Sequence, residues 1–203
     1  MAYSNFTTGE VKLAFGLRDE VGHLFPEARP VEPNQWLQDA LARGGRLALA
    51  SSNEKARSEF IVAPILVEVV ATNEYAFALF SGQSLDVDEE RGLKGECDFI
   101  LSKGTGALTI DAPVVALVEA KNEDIKAGLG QCIAQMVAAR LFNETKGNAI
   151  ETIHGCVTTG ETWQFLKLQG SIITVDVGRY YLGELPRILG VFQAMIDFYQ
   201  QCE

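Results

Sequence analysis

The run Val114-Val115-Ala116-Leu117-Val118 limits what this chain can fold into more than any other stretch of it. A strand with one face in water alternates apolar and polar residues, whereas a near-continuous apolar run belongs to a strand covered on both faces. Such a strand sits inside a sheet with helices above and below it, so the expected fold is α/β, a three-layer α/β/α sandwich with a central mixed sheet. The 203 residues, 47% of them hydrophobic, suffice for one domain with a sizeable core. Its expected parts are an N-terminal helical extension over 1–50, a core over 51–177 and a closing helix over 184–201.

Periodicity fills in the remaining elements. Residues 11–24 mix apolar and charged side chains at roughly helical spacing. Pro33 is placed to open a helix through Trp36, Leu37, Ala40 and Leu41, with Gly44-Gly45 to end it. Ser51, Ser52 and Asn53 are candidate N-caps for the next helix, which carries Glu59 and which Pro64 kinks or divides. Strands are expected at 75–80, 95–101 and 114–121, with a turn region over 104–111. A helix from Ile125 to about Asn143 follows, with Leu129, Ile133, Met136, Val137 and Leu141 at three- and four-residue intervals. Strands over 150–158, 163–168 and 172–177, joined at Thr159-Gly160-Glu161 and Gln169-Gly170, precede an amphipathic helix over 185–199.

Chemistry concentrates where the apolar strand ends. Side chains alternate along a strand, so Glu119 and Lys121 share a face with Val115 and Leu117. A carboxylate and an ammonium there are costly to bury unpartnered, and are better placed where the strand opens into a cleft. Open α/β sheets bind ligands beyond such strand ends. Asp98, in Gly95-Glu96-Cys97-Asp98-Phe99-Ile100, interrupts a second apolar strand. If the two strands pair, Asp98 and Glu119 converge, and a divalent cation relieves their repulsion. Mg²⁺ suits one or two carboxylates together with waters and a substrate phosphate.

These residues, in this spacing, resemble the PD-(D/E)XK nuclease superfamily. The match is Asp98 in one strand, an apolar strand about twenty residues later ending Glu119-Ala120-Lys121, then a helix with Gln131 and Gln135. It extends to Glu59 in the preceding helix and to the hairpin around Gly160. Cys97 stands before Asp98 where the family's name has proline. The resemblance implies a restriction-endonuclease-like fold and a Mg²⁺-dependent hydrolysis of phosphodiester bonds in DNA by an endonuclease, with Mn²⁺ as a possible substitute. It further implies that Asp98, Glu119 and the Ala120 carbonyl ligate the metal. Lys121 orients the attacking water or stabilises the charged phosphorus. Gln131 supports the site, with Gln135 one turn further on, and Glu59 holds a second metal or Lys121. A homodimer is a further expectation, since many nucleases pair two sites.

Composition sets the opposing considerations. The net charge of -10 argues against a general nucleic-acid-binding surface, because phosphate contacts need Lys and Arg. A non-catalytic or regulatory protein of the same fold, binding a protein or nucleic-acid partner, is therefore the alternative. Four cysteines without a C-x-x-C pair and two histidines argue against zinc. No apolar run spans a bilayer and residues 1–10 lack a signal-peptide pattern, so a soluble, cytoplasmic protein without membrane association is expected. No phosphate-binding loop, nucleophile elbow or dinucleotide fingerprint occurs. His154 and Trp163 read as core residues, although Trp163 on its hairpin could stack on a base. The acidic stretch around Asp88 reads as a solvated loop, and Leu189, Phe192, Ile196 and Tyr199 as either core or a dimer face.

Overall fold

The computed structural model describes residues 2–51, 53–104, 109–111, 113–148 and 150–201. Ser52, Cys202 and part of the expected turn at 104–111 lie outside the described residues.

One mixed sheet organises the molecule. Its strands are β1 (Arg18–Gly22), β2 (Phe77–Ser84), β3 (Glu96–Lys103), β4 (Val114–Ala120), β5 (Thr152–Thr158), β6 (Thr162–Gln169), β7 (Ile172–Asp176) and the short β8 (Tyr180–Tyr181). The spatial order is β1-β7-β6-β5-β4-β3-β2, with β8 paired to β6. Strands β2, β3 and β4 form an antiparallel meander. β4 and β5 are parallel, and the connection between them is the helix α6 (Ile125–Thr145), as a parallel pair requires. Every residue of β4 is buried, in agreement with its apolar sequence.

Helices cover the sheet on both faces. On one side α1 (Thr8–Phe15) and α6 contribute Val11, Ile133 and Val137 to a core with Leu117 and Val157 of the sheet. On the other, α5 (Ala63–Thr72) and α7 (Leu185–Gln201) contribute Val69 and Phe192 to a core with Val118 and Phe165. Leu189, Phe192, Ile196 and Tyr199 of α7 are all buried there, which makes them core rather than a dimer face. Among the described residues no helix is long and apolar enough to cross a membrane.

α6 is fastened to β4 at its far end by a buried amide. Asn143 accepts from the Val114 N–H at 2.8 Å and donates to the Val114 carbonyl at 2.7 Å. Those backbone groups begin a strand buried along its whole length, and leaving either unpaired costs about 1–3 kcal/mol. The N-cap of α6 is Asp124, which accepts from the Lys126 N–H.

Three expectations for the N-terminal part are corrected. Residues 11–24 are not one helix. α1 ends where Gly16 adopts a left-handed conformation (φ 63°), and β1 then runs parallel to β7. Four of the five β1 residues are exposed, so its strand identity comes from its partner, not from its own pattern. Pro33 does not open the next helix: α2 (Gln35–Ala40) is capped by Asn34, whose side chain accepts from the Leu37 N–H at 2.9 Å. Nor do Gly44-Gly45 end it. They lie in a π-helical turn over Leu41–Gly45 that continues into α3 (Arg46–Ala50). A Cβ on Gly44 would come within 3.1 Å of the Phe60 Cβ, so this glycine permits a close helix contact instead of a chain break. The next helix, α4 (Glu54–Arg57), is capped by Asn53 and passes through a second π turn, Ser58–Val62, into α5. Pro64 falls in the first turn of α5, directly after this π turn, so the helix runs on through it.

Candidate active site

The three residues singled out at the strand ends meet in the structure. After a register shift between Leu101 and Ser102, the β3–β4 ladder runs to Phe99 opposite Val118. Beyond it, the Asp98 side chain takes over from the backbone: the Ala120 N–H donates to Asp98 Oδ2 at 2.7 Å. On the other edge of β4, the Lys121 N–H donates to the Thr158 carbonyl at 2.7 Å. The Glu119-Ala120-Lys121 backbone is thus held from both sides.

Glu119 points toward α6 and is 1% exposed. Its Oε1 accepts from Lys121 Nζ at 2.6 Å and its Oε2 from Gln135 Nε2 at 2.8 Å. The stem of Lys121 runs beside Gly128 of α6, where an added Cβ would fall 2.9 Å from the Lys121 Cγ.

Burial decides the electrostatics. It pushes the Glu119 carboxyl up to about 7, helped by the Asp98 charge, while Lys121 and the bond from Gln135 pull the other way. Asp98 is also raised, first by burial and then by Glu54 and Glu96, against the opposing effects of the Ala120 N–H and Lys121. Burial disfavours the Lys121 ammonium, but Glu119, Glu54 and Asp98 outweigh it and hold the group above the usual lysine range. Two carboxylates that both resist ionising, next to a firmly protonated lysine, form a site that gains from an added cation.

Asp98 and Ala120 open onto a cavity of about 250 Å³ whose other walls include Glu54, Ser58 and Glu59 from α4 and its π turn, and Gly82 and Glu96 from β2 and β3. Glu59 lies on this rim as an exposed side chain, 3.7 Å from Lys55. The acidic residue whose charge reaches both Asp98 and Lys121 is Glu54, one turn earlier. Its position directly after an N-cap gives an acidic residue an ordinary helix-dipole explanation, which is why the sequence alone did not mark it.

The helix member bonded to the site is Gln135. Gln131 is half-buried one turn before it and makes no hydrogen bond to Asp98, Glu119 or Lys121 among the described residues. Trp163 is fully buried and donates its indole N–H to the Gly160 carbonyl, so it presents no face for stacking. His154 is buried as well, its Nδ1 2.7 Å from the Tyr199 hydroxyl.

Among the described residues no group of three or more His, Cys, Asp or Glu side chains is arranged to hold a metal ion. The donors at the strand ends are instead two carboxylates and a backbone carbonyl. These are hard oxygen ligands, too few to complete a shell, which fits a cation that keeps several waters. Both Glu119 oxygens are engaged by Lys121 and Gln135, so Lys121 must release Oε1 for that oxygen to serve as a ligand. Neither protein-family models nor curated proteins compared with this chain match it.

Proposed function

We propose that this chain is a Mg²⁺-dependent phosphodiester hydrolase acting on DNA, an endonuclease of the PD-(D/E)XK type with a restriction-endonuclease-like fold. The observation that carries this reading is the convergence of Asp98, Glu119 and Lys121 at adjoining strand ends, locked by the Ala120 and Gln135 hydrogen bonds. The meander β2-β3-β4, the crossover through α6 and the parallel β5 support the fold assignment.

Asp98, Glu119 and the Ala120 carbonyl would hold Mg²⁺, or Mn²⁺ in its place. The cation supplies a lowered water pKa and charge stabilisation at phosphorus. The protein's own residues do the rest. Gln135 fixes the rotamer of Glu119. Lys121, kept protonated, is placed to orient the attacking water or to meet the negative charge that develops on the phosphate oxygens. A cytoplasmic location is part of this reading. A homodimer pairing two sites for two strands belongs to the same reading.

The test is cleavage of plasmid and oligonucleotide DNA by the full chain with Mg²⁺ or Mn²⁺. Wild type is expected to cut and Lys121→Ala to be slower by about 100-fold or more. Absence of metal-dependent cleavage by wild type defeats this reading. It would favour a non-catalytic protein of the same fold, which the net charge of -10 and the three glutamates around the cavity make the second reading.

A further inference from the structure

A second and larger cleft is lined by residues that follow Lys121 in the chain. The smaller cavity is lined by Ala120, and this one, of about 730 Å³, by Asn122 two residues on. α4 contributes to both, with Glu54 facing the first and Arg57 the second. The volume falls within the roughly 300–1,000 Å³ of small-ligand sites.

The wall of this cleft is already built. Arg57 donates through Nη1 to the Thr159 carbonyl at 2.9 Å and to Glu161 at 2.7 Å, so its charge is paired with a carboxylate of the same wall, while its Nε is buried without a partner. Glu123 adds a second carboxylate to the lining. A cleft with two carboxylates and one committed guanidinium repels a phosphate. What it offers instead is apolar and flat. Tyr181 is 50% exposed and Leu49 is 38% exposed, and both line it. Tyr181 is fixed by pairing with Thr162, so its ring is presented by the sheet rather than by a loose loop. Asn122 Oδ1 is buried in the same wall without a hydrogen-bond partner, an acceptor that rotation of the amide can offer to a donor in the cleft.

Resting on the nuclease reading, we infer that this cleft takes an unpaired nucleobase of the strand being cut, stacked on Tyr181 and donating through its amino group to Asn122. A base has the required flat face and N–H donors and carries no charge. Asn122 in this cleft follows Ala120 of the smaller cavity by two residues, which ties a base here to a phosphate at Asp98 and Glu119 through one short stretch of backbone. A paired base stays in the stack. The substrate is therefore DNA with a single-stranded or branched element at the cut site, in preference to uninterrupted duplex.

Binding of fluorescent oligonucleotides to the full chain, with Ca²⁺ in place of Mg²⁺ and a 2-aminopurine reporter, reads this directly. Single-stranded DNA is expected to bind wild type and to quench the reporter. Tyr181→Ala should weaken it by about tenfold or more, as loss of one stacked base does, and abolish the 2-aminopurine quenching. Asn122→Ala should bind amino-bearing bases more weakly and thymine unchanged. If Tyr181→Phe restores binding while Tyr181→Ala does not, the ring and not the hydroxyl is responsible. Equal binding of single strands by wild type and Tyr181→Ala, or preference for blunt duplex, overturns the base site. Cleavage of duplex by wild type in that case leaves the nuclease reading standing. No binding and no cleavage of any DNA overturns both.

Discussion

Glu119 sets its two carboxyl oxygens against two donors, Lys121 Nζ and Gln135 Nε2, and is 1% exposed. Removing the second donor leaves one carboxylate oxygen buried and unaided, which loosens the rotamer that a metal needs. We expect Gln135→Met, which nearly conserves volume, to weaken Mn²⁺ binding by about 10-fold or more, as loss of a group that orients a metal ligand does. Gln131→Ala should leave that affinity unchanged. Titration calorimetry on the two variants decides the matter, and the opposite pattern would return the role to Gln131. At this scale the sequence was informative about strand residues and less so about helix residues. Asp98, Glu119 and Lys121 stood out because a charge inside an apolar strand has no ordinary explanation. Gln131 and Gln135 are one turn apart on similar faces, and Glu54 and Glu59 share one helical stretch. Which member of each pair reaches the site depends on how the helix lies on the sheet, and no local pattern encodes that.

α6 binds to β4 at two levels, through Asn143 at the start of the strand and Gln135 near its end, and this pose requires two close approaches. A Cβ on Gly130 would fall on the backbone of Phe6, Thr7 and Thr8, which has nowhere to move. A Cβ on Gly128 would meet the Val157 Cγ1 at 2.6 Å and the Lys121 Cγ at 2.9 Å, both of them side-chain atoms. Helix propensity favours alanine at either position by about 1 kcal/mol. We nonetheless expect Gly130→Ala to destabilise the protein by about 1–3 kcal/mol through overpacking. Gly128→Ala should cost less than Gly130→Ala, because side chains and not backbone must give way, but displace Lys121 and slow cleavage. Denaturation and rate measurements on the pair check this, and equal midpoints for both variants would contradict it. The long periodic helix, the apolar β4 and the hairpin at Gly160 were all legible in sequence. β1 was not, since a short, charged edge strand has no pattern of its own, and the glycines of the first π turn looked like a stop because close packing and chain termination use the same residue.

Over the whole molecule, α7 is keyed to the sheet by His154, and this key titrates. Burial first, and the nearby Lys167 charge second, lower the His154 imidazole from 6.5 to about 3. The Tyr199 hydroxyl lies against its Nδ1 and within 3.0 Å of the Val115 and Thr152 carbonyls. Between pH 6.5 and about 3 the unfolded chain takes up a proton that the folded chain refuses. Stability from this group is therefore fully present above pH 6.5 and falls as pH drops through that window, by up to about 1.4 kcal/mol per pH unit. Between near-neutral pH and about pH 5 the wild type should lose on the order of 2 kcal/mol from this source in urea titrations, and His154→Gln measurably less. Equal losses would exclude His154. The parallel pairing of β1 with β7 has a different consequence, one of timing. Arg18 must find Ile172, which a ribosome adds roughly 150 residues later. At about 5–20 residues per second that delay is on the order of ten seconds. Throughout it β1 waits as an unpaired strand, and its first three residues, Arg18, Asp19 and Glu20, keep it hydrated and poor at pairing with other chains until its own partner has been made.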